Sequence, residues 1–166
     1  MRNLTSFVVG ALVLGAVAVT ASTSGLAAEM DGKAAIEKRV KFMKNDILGP
    51  YKVIKSYVKK GKGTAADVAA AASKISAAAP KIPALFPKGT HRGKFDAKTT
   101  RALPKIWEDW KGFKTAAKAL ADESMKLASV AAGGDKAAVE IGTQFRMMGK
   151  LGCGGCHKPF RGDKVK

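Results

Sequence analysis

Apolar residues recur every three or four positions through the first half of the chain, the spacing of one face of an α-helix. This face comprises Ile36, Val40, Met43, Ile47, Tyr51, Ile54 and Val58. The pattern predicts a helix over about residues 31–60, ended by the Gly-Lys-Gly stretch at 61–63. Because Pro50 lacks an N–H group and its ring meets the carbonyl of Asp46, we expect a kink there.

Two further helices are separated by a long loop. Thr64 begins the second helix, Asp67 is placed to complete a capping box, and an alanine-rich stretch continues to Pro80. A proline-rich loop over 80–104 follows, and the third helix begins near Pro104. The predicted core face of the third helix is Ile106, Trp110, Phe113, Ala117, Leu120, Ser124 and Leu127.

A fourth helix follows the glycine pair at 133–134. We expect Asp135 to cap it and Ile141, Phe145 and Met148 to face inward. No segment alternates apolar and polar residues with a period of two, so strands are not expected. The sequence therefore predicts an all-α protein, an antiparallel four-helix bundle.

The N-terminal segment has the composition of an export signal. Arg2 is the only charged residue among the first 28, and a small-apolar run over 7–19 is followed by small residues up to Ala28. This predicts a cleaved signal peptide over 1–28 and a folded domain over 29–166. A membrane anchor is the alternative, but the run is shorter than the roughly 20 residues that a spanning helix needs. We expect a periplasmic protein with no stable membrane insertion.

The chemistry of the chain lies near its C-terminus, where Cys153, Cys156 and His157 form a C-x-x-C-H motif. This motif is the attachment signature of c-type haem. On a helix, at about 100° per residue, the three side chains project into one sector. The thiols can bond two vinyl-derived carbons of one porphyrin, and the imidazole can reach its iron. We therefore predict one covalent haem c per chain near the C-terminal end of the last helix.

Two other uses of the cysteines are weaker. A thioredoxin-like dithiol sits beside a βαβ pattern, and this sequence shows none. A zinc site needs about four ligands, and the chain offers only one other histidine, His91. A dithiol redox or metal-binding helical module remains the alternative without haem.

Three stretches carry a family resemblance, namely residues 39–44 (Arg-Val-Lys-Phe-Met-Lys), 104–107 (Pro-Lys-Ile-Trp) and 156–161 (Cys-His-Lys-Pro-Phe-Arg). In this order they resemble the class II c-type cytochromes, the cytochrome c′ family. In that family the first helix carries the residue that faces the open side of the iron, and an arginine one turn earlier marks the register. The resemblance implies that Met43 is the distal iron ligand, as in the low-spin branch, and that Arg39 lies near a haem propionate.

Alternatives stay open for both residues. Met43 also lies on the apolar face of the first helix, where it can simply pack against the porphyrin, and Arg39 can be a solvated helix residue. Met147 and Met148 share a helix with His157 and lie about 13–15 Å before it, so they cannot readily bind the opposite face of the iron.

Methionine and histidine together raise the reduction potential of haem iron and suit one-electron transfer. An empty sixth position suits binding of nitric oxide or carbon monoxide instead. No acid–base or nucleophile constellation accompanies the motif, so we expect no enzyme.

The charge balance bears on partners. Lys and Arg number 30 against 13 Asp and Glu, a formal net charge of +17. Hydrophobic residues make up 46%, too many for a disordered basic tail. Nucleic acid is not an expected partner for an exported chain without a recognition motif. We expect redox partner proteins with acidic docking surfaces, and a homodimer is left open.

Overall fold

A computed structural model describes residues 24–165. Most of the predicted signal peptide, residues 1–23, therefore lies outside the described residues. The α-helices are α1 (Ser24–Phe42), α2 (Gly49–Lys60), α3 (Ala65–Ala78), α4 (Lys105–Glu108), α5 (Trp110–Ala131), α6 (Ala138–Met147) and α7 (Gly154–Phe160). Two π-helical turns, Met43–Leu48 and Met148–Cys153, join α1 to α2 and α6 to α7. They are called here the first and the second π-turn.

The predicted first helix is present as α1, the first π-turn and α2, and it begins at Ser24 rather than near 31. At Pro50, where a kink was expected, the first π-turn directly precedes the helical turn that holds the proline. The Gly49 N–H donates to the Lys44 carbonyl, five residues back, and Pro50 occupies the first turn of α2. In a first turn the missing N–H of proline leaves no hydrogen bond unmade.

The second and third predicted helices are also present, with one break. The Thr64 side chain accepts from the Asp67 N–H and the Asp67 carboxylate accepts from the Thr64 N–H, so the predicted capping box is confirmed. The third helix is split between α4 and α5, because Asp109 leaves the helical conformation. Its carboxylate accepts from the Gly112 N–H at 2.9 Å and caps α5. The predicted core face is buried except for Trp110, which is half-buried.

Two expectations about single residues are wrong. Val40 was predicted to face the core but is 42% exposed, whereas the neighbouring Arg39 is 4% exposed because the long loop covers that side of α1. Asp135 does not cap the fourth helix. Its carboxylate accepts from the Tyr57 hydroxyl at 3.0 Å and from the Ala65 N–H at 2.8 Å, because α2 ends and α3 begins beside it.

The bundle consists of α2, α3, α5 and the rod formed by α6, the second π-turn and α7. α3 packs along α5 mainly through alanines, which allows close approach, and α6 brings Ile141 and Phe145 into the same core. The predicted all-α four-helix bundle is confirmed. Across residues 24–165, β-structure is limited to two isolated bridges, Arg92 with Phe95 and Ala102 with Arg161. No helix in that part of the chain has both the length and the apolar character needed to span a bilayer.

Candidate functional site

The C-x-x-C-H motif straddles the junction of the second π-turn and α7. Cys153 closes the π-turn, and Cys156 and His157 lie in the first turns of α7. The Gly154 N–H donates to the Gly149 carbonyl, five residues back, which is the wide hydrogen-bond pattern of a π-helix. Such turns are frequent at functional sites. Neither π-turn was predicted from the sequence, although glycines lie at or beside both.

The second π-turn lies unusually close to α5. Gly152 is buried, and a Cβ atom at this position would lie 2.8 Å from Leu120 Cδ1 and 2.9 Å from Leu120 Cα. Only glycine permits this approach without movement of the α5 backbone. The contact therefore fixes the position of Cys153, the next residue, relative to α5.

Both thiols are half-buried and free, and they border the hydrophobic core. Burial raises the pKa of the Cys153 thiol above its usual value. Burial and the neighbouring Cys153 raise the pKa of Cys156 to about 11. Reactive dithiols depend on a lowered thiol pKa, so this environment does not favour the redox-module alternative.

His157 comes directly after Cys156 and is exposed at the protein surface. Desolvation of its ring, and then the positive charges of Arg161 and Arg101, lower the pKa of the imidazole below its usual value. This shift favours the neutral form of the ring at pH 7. A neutral imidazole is the form that can donate a lone pair to a metal ion.

This donor set fits a covalently attached haem. Cys153 and Cys156 would form the thioether bonds, and His157 would bind the iron. The helix surface beside them is bare, since a Cβ at Gly149 or Gly155 would have nothing within 4 Å. Haem bound there would supply an iron centre that takes up one electron or a small axial ligand.

Met43, the predicted distal ligand, is the first residue of the first π-turn. Its side chain is half-buried and packs against the same hydrophobic core that Cys153 and Cys156 border. A thioether in this position can serve as an iron ligand or as an apolar wall. Its ligation of iron stays a prediction.

Arg39 lies one turn before Met43 and is held by the long loop. Its guanidinium donates to Thr90 Oγ1 and to the Thr90 carbonyl, both at 2.6 Å, and to Thr100 Oγ1 at 2.7 Å. It also lies 4.6 Å from the centre of the Phe86 ring. Burial lowers the pKa of Arg39 to about 10. The solvated-arginine alternative is therefore wrong, and the propionate contact stays a prediction.

An aromatic cluster that the sequence analysis missed ties the loop, α5 and α7 together. Phe113 contacts Phe86, Trp110 and Phe160, with ring centres 4.9, 5.6 and 5.4 Å away. Phe160 is three residues after His157, so this cluster helps to fix the motif helix. The only signal in the sequence is the apolar character of each residue, which does not reveal the pairing.

The family assignment follows from a comparison with known proteins. The sequence model described as Cytochrome C′ matches residues 34–161, which include the motif, Arg39 and Met43. The chain belongs to the cytochrome c′ family. It is accordingly a c-type cytochrome with covalently bound haem.

Individual relatives agree with this assignment. A cytochrome c′ of Rhodospirillum rubrum is 41% identical over 78 residues, 47% of this chain and 48% of the relative, so the match spans about half of its length. A cytochrome c′ structure from Rhodobacter spheriodes has a TM-score of 0.68 at 24% identity and shares the fold, covering 80% of this chain and 98% of that one. The nitric oxide complex of a mutant cytochrome c prime from Alcaligenes xylosoxidans has a TM-score of 0.65 at 25% identity, covering 80% and 97%.

Proposed function

We propose that this chain is an exported, periplasmic monohaem cytochrome that binds nitric oxide or carbon monoxide at an open axial position of its iron. The family match over 34–161 is the observation that carries this proposal, supported by the nitric oxide complex of a mutant cytochrome c prime from Alcaligenes xylosoxidans. Haem attachment through Cys153 and Cys156 and iron ligation by His157 are parts of the same proposal.

The residues of the chain have defined tasks in this function. Cys153 and Cys156 anchor the macrocycle beside α5, and the contact of Gly152 with Leu120 keeps the anchor in place. His157 supplies one axial ligand in its neutral form. Met43 then acts as an apolar wall, in keeping with its packing against the hydrophobic core.

One-electron transfer through iron bound by His157 and Met43, the function favoured by the sequence analysis, is the second candidate. It is supported by the half-buried position of Met43 at the start of the first π-turn. A methionine ligand would raise the reduction potential and occupy the axial position that a gas needs. The comparisons fit gas binding better than this low-spin alternative.

Absorption spectra of the haem-loaded protein, oxidised and reduced, with and without carbon monoxide, separate the two functions. We expect high-spin spectra and a carbon monoxide complex in both the wild type and Met43→Leu. Met125→Leu, a change at an exposed methionine of α5, is the matched control. Low-spin spectra that resist carbon monoxide in the wild type and the control, but not in Met43→Leu, would establish the electron carrier instead.

Haem attachment is tested separately. Wild-type protein from a periplasmic fraction should stain for covalent haem on a denaturing gel, and its mass should show one haem and removal of the signal peptide. C153S/C156S should lose the stain completely. An unstained wild type would return the motif to the dithiol or metal-binding alternative. A homodimer stays open, and the expected lack of enzyme activity stays a prediction.

A further inference from the structure

Three arginines surround the C-terminal end of the motif helix. Arg101 Nε donates to the Gly162 carbonyl at 2.7 Å, and Arg92 Nη1 donates to the Asp163 carbonyl at 3.3 Å. Arg161 forms an isolated antiparallel bridge with Ala102, the residue that follows Arg101. Together, Arg92, Arg101 and Arg161 are called here the arginine patch.

The backbone holds these like charges together. The Gly162 N–H donates to the Arg101 carbonyl at 2.8 Å, and the Leu103 N–H donates to the Phe160 carbonyl at 3.0 Å. These two hydrogen bonds attach the residues at the end of α7 to the long loop. Gly162 also lets Arg92 approach, because a Cβ there would lie 2.8 Å from Arg92 Nη1. The fold thus places positive charges side by side instead of letting them separate.

No carboxylate neutralises the patch within residues 24–165. The salt bridges of this part of the chain join other residues. Arg92 and Arg101 each make one side-chain hydrogen bond there, to a neutral carbonyl, and Arg161 makes none. A guanidinium has five N–H donors, so most donors of the patch make no hydrogen bond within residues 24–165.

The patch adjoins the proposed iron ligand. The charges of Arg101 and Arg161 both act on the His157 ring, and Arg101 also acts on Arg161. The surrounding sequence adds to the field, because residues 81–105 contain seven Lys or Arg and one acidic residue. A positive potential concentrated at one site steers oppositely charged partners toward that site.

We propose that the arginine patch is the docking surface for an acidic redox protein that exchanges electrons with the iron. This inference rests on the proposed function, since carbon monoxide binds ferrous iron and an electron carrier cycles between oxidation states, so both candidates need a source of electrons. Charge complementarity selects the partner, and Arg guanidinium groups match carboxylates in a bidentate geometry. Docking there places the partner beside His157, the protein ligand nearest to the surface.

One structural explanation accounts for only part of the patch. A cation near a helix C-terminus stabilises the helix dipole, and Arg161 directly follows α7. This effect falls off within one turn, whereas Arg92 and Arg101 come from the long loop. A dipole effect therefore does not explain why three arginines converge.

Calorimetric titration of the haem-loaded protein with an acidic flavodoxin, at low ionic strength, tests the proposal. We expect R101Q/R161Q to weaken binding about tenfold relative to wild type, the lower end of the range for electrostatic steering. R101K/R161K, which keeps both charges, should bind within about threefold of wild type. The second-order rate constant for reduction by reduced flavodoxin should also be lowest for R101Q/R161Q. The rate constants of the three proteins should become equal at high salt.

The matched control is K59Q/K60Q, which removes two charges at the end of α2. That end adjoins Asp135, and α6, the second π-turn and α7 lead away from it toward His157. Equal weakening in this control would mean that net charge alone matters and would overturn the proposal. The proposal would also be overturned if R101K/R161K lost as much binding as R101Q/R161Q, or if flavodoxin did not bind at all. Displacement of flavodoxin by inorganic phosphate at constant ionic strength would likewise overturn it, because it would indicate a small-anion site. Binding is measured without reference to gas or spin state, so failure here is distinct from failure of the proposed function.

Discussion

α1, which ends directly before Met43, and the helix that carries His157 are held in place by different forces. α1 is tied to the loop through the polar contacts of Arg39, and its buried Ile36 lies outside the main hydrophobic core. The second π-turn and α7 are packed into that core, with Gly152 against Leu120 and Phe160 among the aromatic residues.

This difference determines how easily α1, on the one hand, and the second π-turn with α7, on the other, can move. A closely packed interface has discrete arrangements and resists small displacements. A helix with few buried apolar contacts opens or shifts at a lower free-energy cost. We therefore infer that the second π-turn and α7 give His157 a fixed support, whereas α1, which ends directly before Met43, can shift more readily.

The largest expected effect comes from breaking the packed side. Gly152→Val would drive a branched side chain into the Leu120 backbone, and the neighbouring backbone would have to shift. Overpacking of this kind costs about 3 kcal/mol of unfolding free energy. Urea unfolding of the haem-loaded protein, followed by circular dichroism, measures the loss, and the yield of covalent haem should fall with it.

Gly142→Ala is the matched control, because it changes a glycine of α6 outside the motif, where the nearest atom to a Cβ is Val58 Cγ1 at 4.0 Å. We expect no loss, and a gain of up to about 1 kcal/mol from the better helix propensity of alanine. If Gly142→Ala lost as much stability as Gly152→Val, the close contact between Gly152 and Leu120 would not be what fixes the motif.

A smaller effect is expected when the polar side is broken. Arg39→Met removes the three hydrogen bonds that the guanidinium donates to Thr90 and Thr100, and it leaves the Thr90 carbonyl without a donor. The cost should be about 2 kcal/mol. Hydrogen exchange should show the loss as faster exchange in α1 and in the loop over 82–104, with little change in α5.

Arg146→Met provides the comparison for this change. Arg146 is exposed on α6 and makes only a local hydrogen bond, to Thr143 Oγ1 at 2.9 Å. Its replacement should cost less than about 0.5 kcal/mol. Uniformly faster exchange in both α1 and α5 after Arg39→Met would contradict the view that the two sides are held independently.

The features that could be predicted from the sequence are those encoded by residues close together in the chain. The helices of the bundle, the Thr64 capping box and the core face of α5 were predicted correctly, because local periodicity and capping encode them. The haem motif is also local, since five consecutive positions carry it. Each of these features depends on residues within a few turns of one another.

The features that were missed depend on distant residues. Thr90 and Thr100 lie 51 and 61 positions after Arg39, in a loop whose sequence has no periodic signal, so the burial of Arg39 was not predictable. Asp135 bonds Ala65, 70 positions earlier, for the same reason. The π-turns escaped detection because their hydrogen-bond pattern responds to packing, as the contact of Gly152 with α5 shows.

The smallest expected effect concerns a polar contact within the packed side. The Gln144 side chain donates to Glu123 Oε2 at 2.7 Å and joins α6 to α5, and Lys126 pairs with Glu123 Oε1 at 2.7 Å. These hydrogen bonds, Lys126 first, hold the pKa of Glu123 below its ordinary value of 4.5. The folded chain therefore releases this proton more readily than the unfolded chain.

A carboxyl group with a lowered pKa stabilises the fold above its unfolded pKa, and this contribution is lost as the pH falls through the folded pKa. Glu123→Gln should therefore cost about 1 kcal/mol at pH 7, and the difference from wild type should shrink once the pH falls below about 4.5. Glu140→Gln, at an exposed position of α6, is the control. Urea unfolding between pH 3 and 7 measures both. Because apolar packing also holds α5 and α6, a loss larger than that of Arg39→Met would mean that polar contacts dominate this side too.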